Sequence, residues 1–304
     1  MVLGLPSEES YTLIRILALF MVAALSTGAV AAEKTAKAAK AALVADGGPM
    51  LKSGGVLVLD PATGETLYSK NAAEVTPIAS ITKLMTAMVV LDAKLAPEEP
   101  LQITVDDIDH IKNTRSRLPI GSHFRRDDLM RLALMASDNR AASALGRNFP
   151  GGLAAFVAAM NAKAAALGLA ATHFVDSSGL APGNVSSAQD LGKLVAAASK
   201  YEIISEYSTT EAVNVTLPDS KRKLSFVNTN RLVRGSDWQI GLSKTGYISE
   251  SGMCLVMQAM IANQPIVIVL LDSWGRLTRI GDANRIRKWL EKNPGKLASQ
   301  FRSG

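Results

Sequence analysis

Two apolar runs near the end of the chain, residues 252–261 and 265–271, most limit what it can fold into. They are too short to be long helices and are separated by Ala262-Asn-Gln, which reads as a hairpin turn, so they need strand partners. An earlier pair supplies them: residues 55–60 and 65–69 flank Pro61-Ala-Thr-Gly64 and read as a second hairpin. Short strands also read at 212–217 and 240–245. Between the two ends, residues 127–135, 152–160 and 187–198 repeat apolar side chains at three and four positions, the helical period. Residues 277–291 close the pattern with a helix bearing Trp289 and Leu290. Strands at both ends and helices between them predict an α+β domain: an antiparallel sheet formed from both chain ends, packed by helices, with a central helical subdomain.

The 304 residues are 48% hydrophobic, enough to bury a large core. The single cysteine, Cys254, lies in the apolar run Met253-Cys-Leu-Val-Met257, which excludes an internal disulfide and reads as a structural thiol. His110, His123 and His173 do not pair with other ligands at metal-site spacings, so neither a metal centre nor a Ser-His-Asp triad is expected. His173 with Asp176 comes nearest, in a stretch that reads as a turn-rich connection.

The N-terminus carries an apolar run at residues 16–25 after Arg15, then Ala29-Val-Ala31. That arrangement reads as a secretory signal peptide over residues 1–31, although Glu8 and Glu9 occupy a region that is ordinarily positive. An Ala/Lys-rich spacer follows over 32–49, then one domain over 50–292 and a tail over 293–304. Loss of residues 1–31 removes Arg15, Glu8 and Glu9 and raises the formal charge from +6 to +7. An exported basic protein suits the acidic polymers of a cell wall. Nucleic acid is not expected, because the sequence has neither a long Lys/Arg run nor alternating aromatic and basic residues.

Three short motifs carry chemical interest. In Ser80-Ile-Thr-Lys83, at the start of an apolar helix, a spacing of three puts hydroxyl and amine on one face, a nucleophile beside a base. The plain alternative is a capping serine and a solvated lysine, and a second Ser-x-x-Lys occurs at Ser220-Lys-Arg-Lys223. Ser137-Asp-Asn139 follows a helical pattern and reads equally as a C-terminal turn, with a second Ser-x-Asn at Ser69-Lys-Asn71. Lys244-Thr-Gly246 ends a strand; its glycine permits close backbone approach, and the alternative is a strand-to-turn glycine beside a solvated lysine. Only the triplets at 80, 137 and 244 have the order and context of the Ser-x-x-Lys, Ser-x-Asn and Lys-Thr-Gly set.

With these motifs the chain resembles the low-molecular-mass penicillin-binding proteins, D-alanyl-D-alanine carboxypeptidases and endopeptidases. The resemblance spans roughly residues 50–292 and includes Ser116-Arg-Leu-Pro119, Thr172-His-Phe174, Gly179-Leu180 and Asn228-Thr-Asn-Arg-Leu232. It is greatest to the endopeptidase group of Gram-negative periplasms. The resemblance implies a penicillin-binding protein/β-lactamase-like fold, a periplasmic location, peptidoglycan as substrate, no cofactor, and β-lactams as covalent inhibitors at Ser80. It further implies that Ser80 attacks a D-alanyl carbonyl and that Lys83 takes its proton, the amine being neutralised by burial and by Lys244. Ser137 would relay a proton to the leaving amine, and Asn139 would hold Lys83 and the substrate amide. Lys244 and Thr245 would bind the carboxylate end, Gly246 would admit backbone, and the N–H groups of Ser80 and Tyr247 would form an oxyanion hole. The second domain and amphipathic anchor of membrane-associated relatives find no counterpart after Trp289, so no stable membrane anchor is expected after signal cleavage. A β-lactamase reading needs a deacylating glutamate; Glu202 and Glu206 lie in the interval without the Glu-x-x-x-Asn pattern. Two further readings are a carboxypeptidase and a non-catalytic wall-binding protein that keeps the fold.

Overall fold

A computed structural model describes residues 48–217 and 222–297. The expected signal peptide, all but the last two residues of the spacer, Ser220 of the second Ser-x-x-Lys and the tail from residue 298 lie outside the described residues. The elements below belong to the unit Met50–Gly304.

Along the chain, β1 (Gly55–Leu59) and β2 (Thr66–Lys70) form the early hairpin, followed by β3 (Val75–Pro77) and helix α1 (Thr82–Asp92). The helical region contains β4 (Pro100–Gln102), β5 (His123–Arg125), α2 (Arg126–Met135), α3 (Asn139–Arg147), α4 (Gly152–Ala166), β6 (Val185–Ser187), α5 (Ala188–Ala198) and α6 (Glu202–Ser208). The chain then returns through β7 (Ala212–Thr216), β8 (Lys223–Val227), β9 (Ile240–Ile248), β10 (Gly252–Ile261), β11 (Gln264–Ser273) and α7 (Arg276–Lys292).

The main sheet has the order β2-β1-β11-β10-β9, so the first strands add to the last ones and unite the two chain ends. Its neighbours are antiparallel, with Gly55 opposite Leu271 and Val256 opposite Lys244. The β10–β11 turn is two residues long: Ala262 and Asn263 both take positive φ, 49° and 63°, the requirement of a type I′ turn whose twist matches the strands.

Alternation divides the strand side chains between two cores. Val56, Val58, Leu255, Met257, Ile266, Ile268 and Leu270 pack with Ile286, Trp289 and Leu290 of α7. Leu57, Val256, Val267, Val269 and Leu271 face the helical side with α1, α2 and α5. Helix α1 is buried from Thr82 to Val90, so its sequence is apolar around nearly its whole circumference rather than along one stripe. Among the described residues no helix is long and apolar enough to cross a membrane.

Two local expectations change. Ser80 caps no helix: it sits in a 3-10 turn, Ala79–Ile81, and α1 starts at Thr82 without a side-chain cap. Ser137-Asp-Asn139 is the joint between two helices rather than the end of one. Ser137 is left-handed at φ 58°, Asp138 caps α3 by accepting from Ala141 N, and Asn139 is the first residue of α3.

Candidate active site

Ser80 is held from below by backbone. Ala79 takes φ 48°, costly for a residue with a Cβ, and its carbonyl closes a turn with the hydroxyl of Thr82 at 2.8 Å. Gly179 lies directly against it: a Cβ there would stand 2.0 Å from Ala79 O. On the other side, a Cβ on Gly246 would stand 2.9 Å from Ile78 O and 3.3 Å from Ser80 N, so only glycine lets β9 approach the serine this closely. β9 is the outer strand of the main sheet, which leaves one of its backbone edges open to the cleft.

The three motifs converge. Lys83 Nζ lies 2.8 Å from Ser80 Oγ, 2.7 Å from Asn139 Oδ1 and 2.6 Å from the carbonyl of Ser178. Those three acceptors satisfy an ammonium; a neutral amine would donate to Asn139 and Ser178 and accept the Ser80 proton with its lone pair. Lys83 is fully buried, and desolvation pulls its pKa down to about 7, against the opposing pull of Asp176, Asp138 and Asp109. Lys244, also buried, donates to Ser137 Oγ at 2.9 Å. Its pKa is pushed well down by burial first, then by the charges of Lys83 and Arg279. Burial is the first cause for both amines, as expected for Lys83, and the two buried ammonium groups repel one another. Thr245 Oγ1 meets Thr229 Oγ1 at 2.7 Å, and Tyr247, which is more than half exposed, lines the cleft.

Several residues of the site carry no motif. Asp176 organises the loop beside Lys83: its carboxylate accepts from Ser178 N, Ser178 Oγ, Gly179 N and Ala181 N, which aims the Ser178 carbonyl at Nζ. Thr114 Oγ1 accepts from Asn139 Nδ2 at 2.8 Å, and Asp109 shapes Thr114's loop by accepting from Ile111 N, Lys112 N and Thr114 N. Arg279, from α7, is 8% exposed and lines the cleft; one of its nitrogens donates to Gly246 O and Cys254 O, while its Nε has no partner among the described residues. A backbone carbonyl, a turn carboxylate and an arginine from a different helix leave no pattern in sequence.

The cleft measures about 560 Å³ and runs from Ser80 between the Ser137–Asn139 joint, the end of β8 and the 228–234 loop, β9 and the start of α7. Asp138 is the one carboxylate among its lining residues and is occupied by Ala141 N and Ser116 Oγ. Glu206, one of the two glutamates weighed for deacylation, pairs with Arg131 instead, and neither it nor Glu202 lines the cleft. Among the described residues no group of three or more His, Cys, Asp or Glu side chains could hold a metal ion.

Residues 37–274 match the family described as D-alanyl-D-alanine carboxypeptidase. A D-alanyl-D-alanine endopeptidase of Pseudomonas aeruginosa is 48% identical over 241 residues, 79% of this chain and 78% of that protein. Its counterpart in Escherichia coli is 44% identical over 243 residues, 80% of this chain and 78% of that protein. Among solved structures, the Streptomyces K15 DD-transpeptidase superposes with TM-score 0.75 at 28% identity, covering 80% of this chain and 98% of its own. Penicillin-binding protein D2 of Listeria monocytogenes, in its ampicillin-bound form, gives 0.67 at 30% identity over 79% and 97%. With three motifs meeting in one cleft and this likeness along most of its length, the chain belongs to the D-alanyl-D-alanine carboxypeptidase family of serine DD-peptidases.

Proposed function

We propose that this protein is an exported, periplasmic endopeptidase that opens D-alanyl cross-links of peptidoglycan through an acyl-enzyme on Ser80. The observation that carries the chemistry is the 2.8 Å approach of a fully buried Lys83 amine to the Ser80 hydroxyl. With a pKa near 7, a large fraction of that amine is neutral at neutral pH and can act as base. Preference for cross-links is supported by the two endopeptidase relatives at 48% and 44% identity. Export is supported by the apolar run before Ala31, and a mature N-terminus near Ala32 is the expected product.

In the first step Ser80 Oγ bonds to the D-alanyl carbonyl carbon while Lys83 takes the hydroxyl proton. The carbonyl oxygen gains the negative charge and is received by the backbone N–H groups of Ser80 and Tyr247. Loss of such a donor costs about a hundredfold or more in rate. Collapse breaks the C–N bond; the leaving amine gains a proton through Ser137, which Lys244 orients. Water then attacks the ester, releases the peptide as its acid and restores Ser80. Thr245, with Arg279 and Lys244 behind it, receives the carboxylate next to the scissile bond, and Asn139 holds both Lys83 and the substrate amide. A β-lactam enters the first step in the same way and remains attached to Ser80.

Digestion of purified cross-linked muropeptides, followed by product masses, tests this reading. Conversion of dimers to monomers by the wild type but not by Ser80→Ala is expected. Release of a lone alanine without loss of dimers would replace it with the carboxypeptidase reading.

A further inference from the structure

All the charged side chains that line the cleft, except Asp138, are cationic. Arg115, Arg117, Arg231, Arg234 and Arg276 line it together with Arg279, while its one carboxylate, Asp138, is already engaged. Arg117 is committed to the carbonyl of Ser225 and the face of Phe226. Arg115, Arg231 and Arg234 are exposed, and their guanidinium groups have neither hydrogen bond nor ion pair among the described residues.

The backbone that presents these three guanidinium groups is fixed. Buried Asn228 donates to the carbonyls of Ser208 and Thr210 and accepts from Asn230 N; buried Asn230 accepts from Leu232 N and donates to Ser243 Oγ. Arg231 stands between two residues pinned in this way, and Arg115 follows Thr114 on the loop that Asp109 organises. Like charges held at fixed points of a concave wall repel one another and concentrate an anion there.

We infer that the arm of the cleft carrying Arg115, Arg231 and Arg234 is a subsite for a second carboxylate of an acidic, branched peptide substrate, separate from the carboxylate received at Thr245. The inference rests on the peptidase reading above. A peptide is favoured over a phosphate polymer because these arginines line the same cleft as Ser80, Asn139 and Thr245, and because Phe226 and Val227 add apolar surface to it. The volume of the whole cleft, about 560 Å³, suits a short chain with aliphatic and charged side groups.

Binding to the Ser80→Ala protein tests the subsite without turnover. Two cross-linked peptides are compared by calorimetry, identical except that one has its distal carboxylates amidated while the carboxylate beside the scissile bond stays free in both. The free acid should bind tighter by roughly tenfold, the scale of one charge-assisted hydrogen bond. In Arg231→Gln/Arg234→Gln the ratio between the two peptides should fall toward one, whereas Arg231→Lys/Arg234→Lys should keep most of it. A ratio near one in the parent protein, or one unchanged by the glutamine pair, overturns the inference. Loss of binding to soluble polyphosphate in the glutamine pair with the peptide ratio unchanged also overturns it and assigns the arm to phosphate. Wild-type cleavage of the same peptides is read separately, so a failed peptidase reading is distinguished from a failed subsite.

Discussion

Ala79 and Gly179 meet backbone to backbone beside Ser80, so closely that a methyl group on residue 179 would stand 2.0 Å from Ala79 O and 2.8 Å from Thr82 Oγ1. Both residues are left-handed, Ala79 at φ 48° and Gly179 at φ 81°. The surrounding packing therefore maintains a strained turn that presents Ser80 to Lys83 instead of using its hydroxyl as a helix cap. Strain of this kind is concentrated at functional sites and persists only where neighbours enforce it.

Gly179→Ala tests that support. The substitution adds both a forbidden conformation and a clash with backbone, and it should destabilise the protein by about 2 kcal/mol or more. Thermal unfolding measures the stability, and the benzylpenicillin acylation rate should fall with it. An alanine protein of wild-type stability and rate would show that the turn is relaxed.

The acylation rate should follow the neutral fraction of Lys83. Burial lowers that amine to about 7, so the rate should be small at pH 5, rise through pH 7 and level off above it. The same shift affects stability. The folded state gives up the Lys83 proton near pH 7 and the unfolded state near 10.5, so stability should increase with pH between those values. Lys244 shifts in the same direction. Melting curves of wild type and Lys83→Met from pH 6 to pH 9 should show a smaller pH-dependent gain in the variant.

Thr114 holds Asn139 by a hydrogen bond and does not line the cleft. Thr114→Val removes the 2.8 Å hydrogen bond from Asn139 Nδ2 and should lower acylation about five- to tenfold, the scale of one hydrogen bond, with a melting temperature close to wild type. Thr114→Ser, which keeps the hydroxyl, should restore the rate. Equal rates in both variants would remove Thr114 from the chain of contacts that ends at Lys83.

Asp282 ties the entry of the domain to α7. Its fully buried carboxylate accepts from Lys52 N, Ser53 N and Ser53 Oγ and pairs with Arg285. Burial pulls its pKa up, but the hydrogen bonds from Ser53, Lys52 and Arg285 outweigh that and leave it lowered. It therefore contributes stability that is present above the usual carboxylate range and lost as pH falls through its depressed value. Asp282→Ala leaves the buried Ser53 N without a partner and removes the bonds to Lys52 N, Ser53 Oγ and Arg285, and should cost about 2 kcal/mol, measured by denaturant unfolding.

The large elements are legible in the sequence because their signals are local. The β10 and β11 runs, the turn at Ala262 and Asn263, and the α7 helix fall where apolar spacing places them, and the main sheet unites strands from both chain ends as expected, although their order is not written in the sequence. The motif triplets are legible because each is a short contiguous pattern and the three occur in the order of the Ser-x-x-Lys, Ser-x-Asn and Lys-Thr-Gly set. What stays hidden depends on the third dimension. The carbonyl of Ser178, the turn carboxylate of Asp176, the left-handed Ala79 and the Arg279 side chain belong to segments whose sequences read as ordinary turns and helix. Helix α3 is hidden for a different reason: its first residue, Asn139, has the chemistry of a turn residue, and the helix is only nine residues long.

The most direct test of the central claim is mass analysis of peptides from the protein after exposure to benzylpenicillin. A single penicilloyl group on the peptide containing Ser80, absent in Ser80→Ala and Lys83→Met, is the expected result. An unmodified protein, or a label on any other residue, would contradict it.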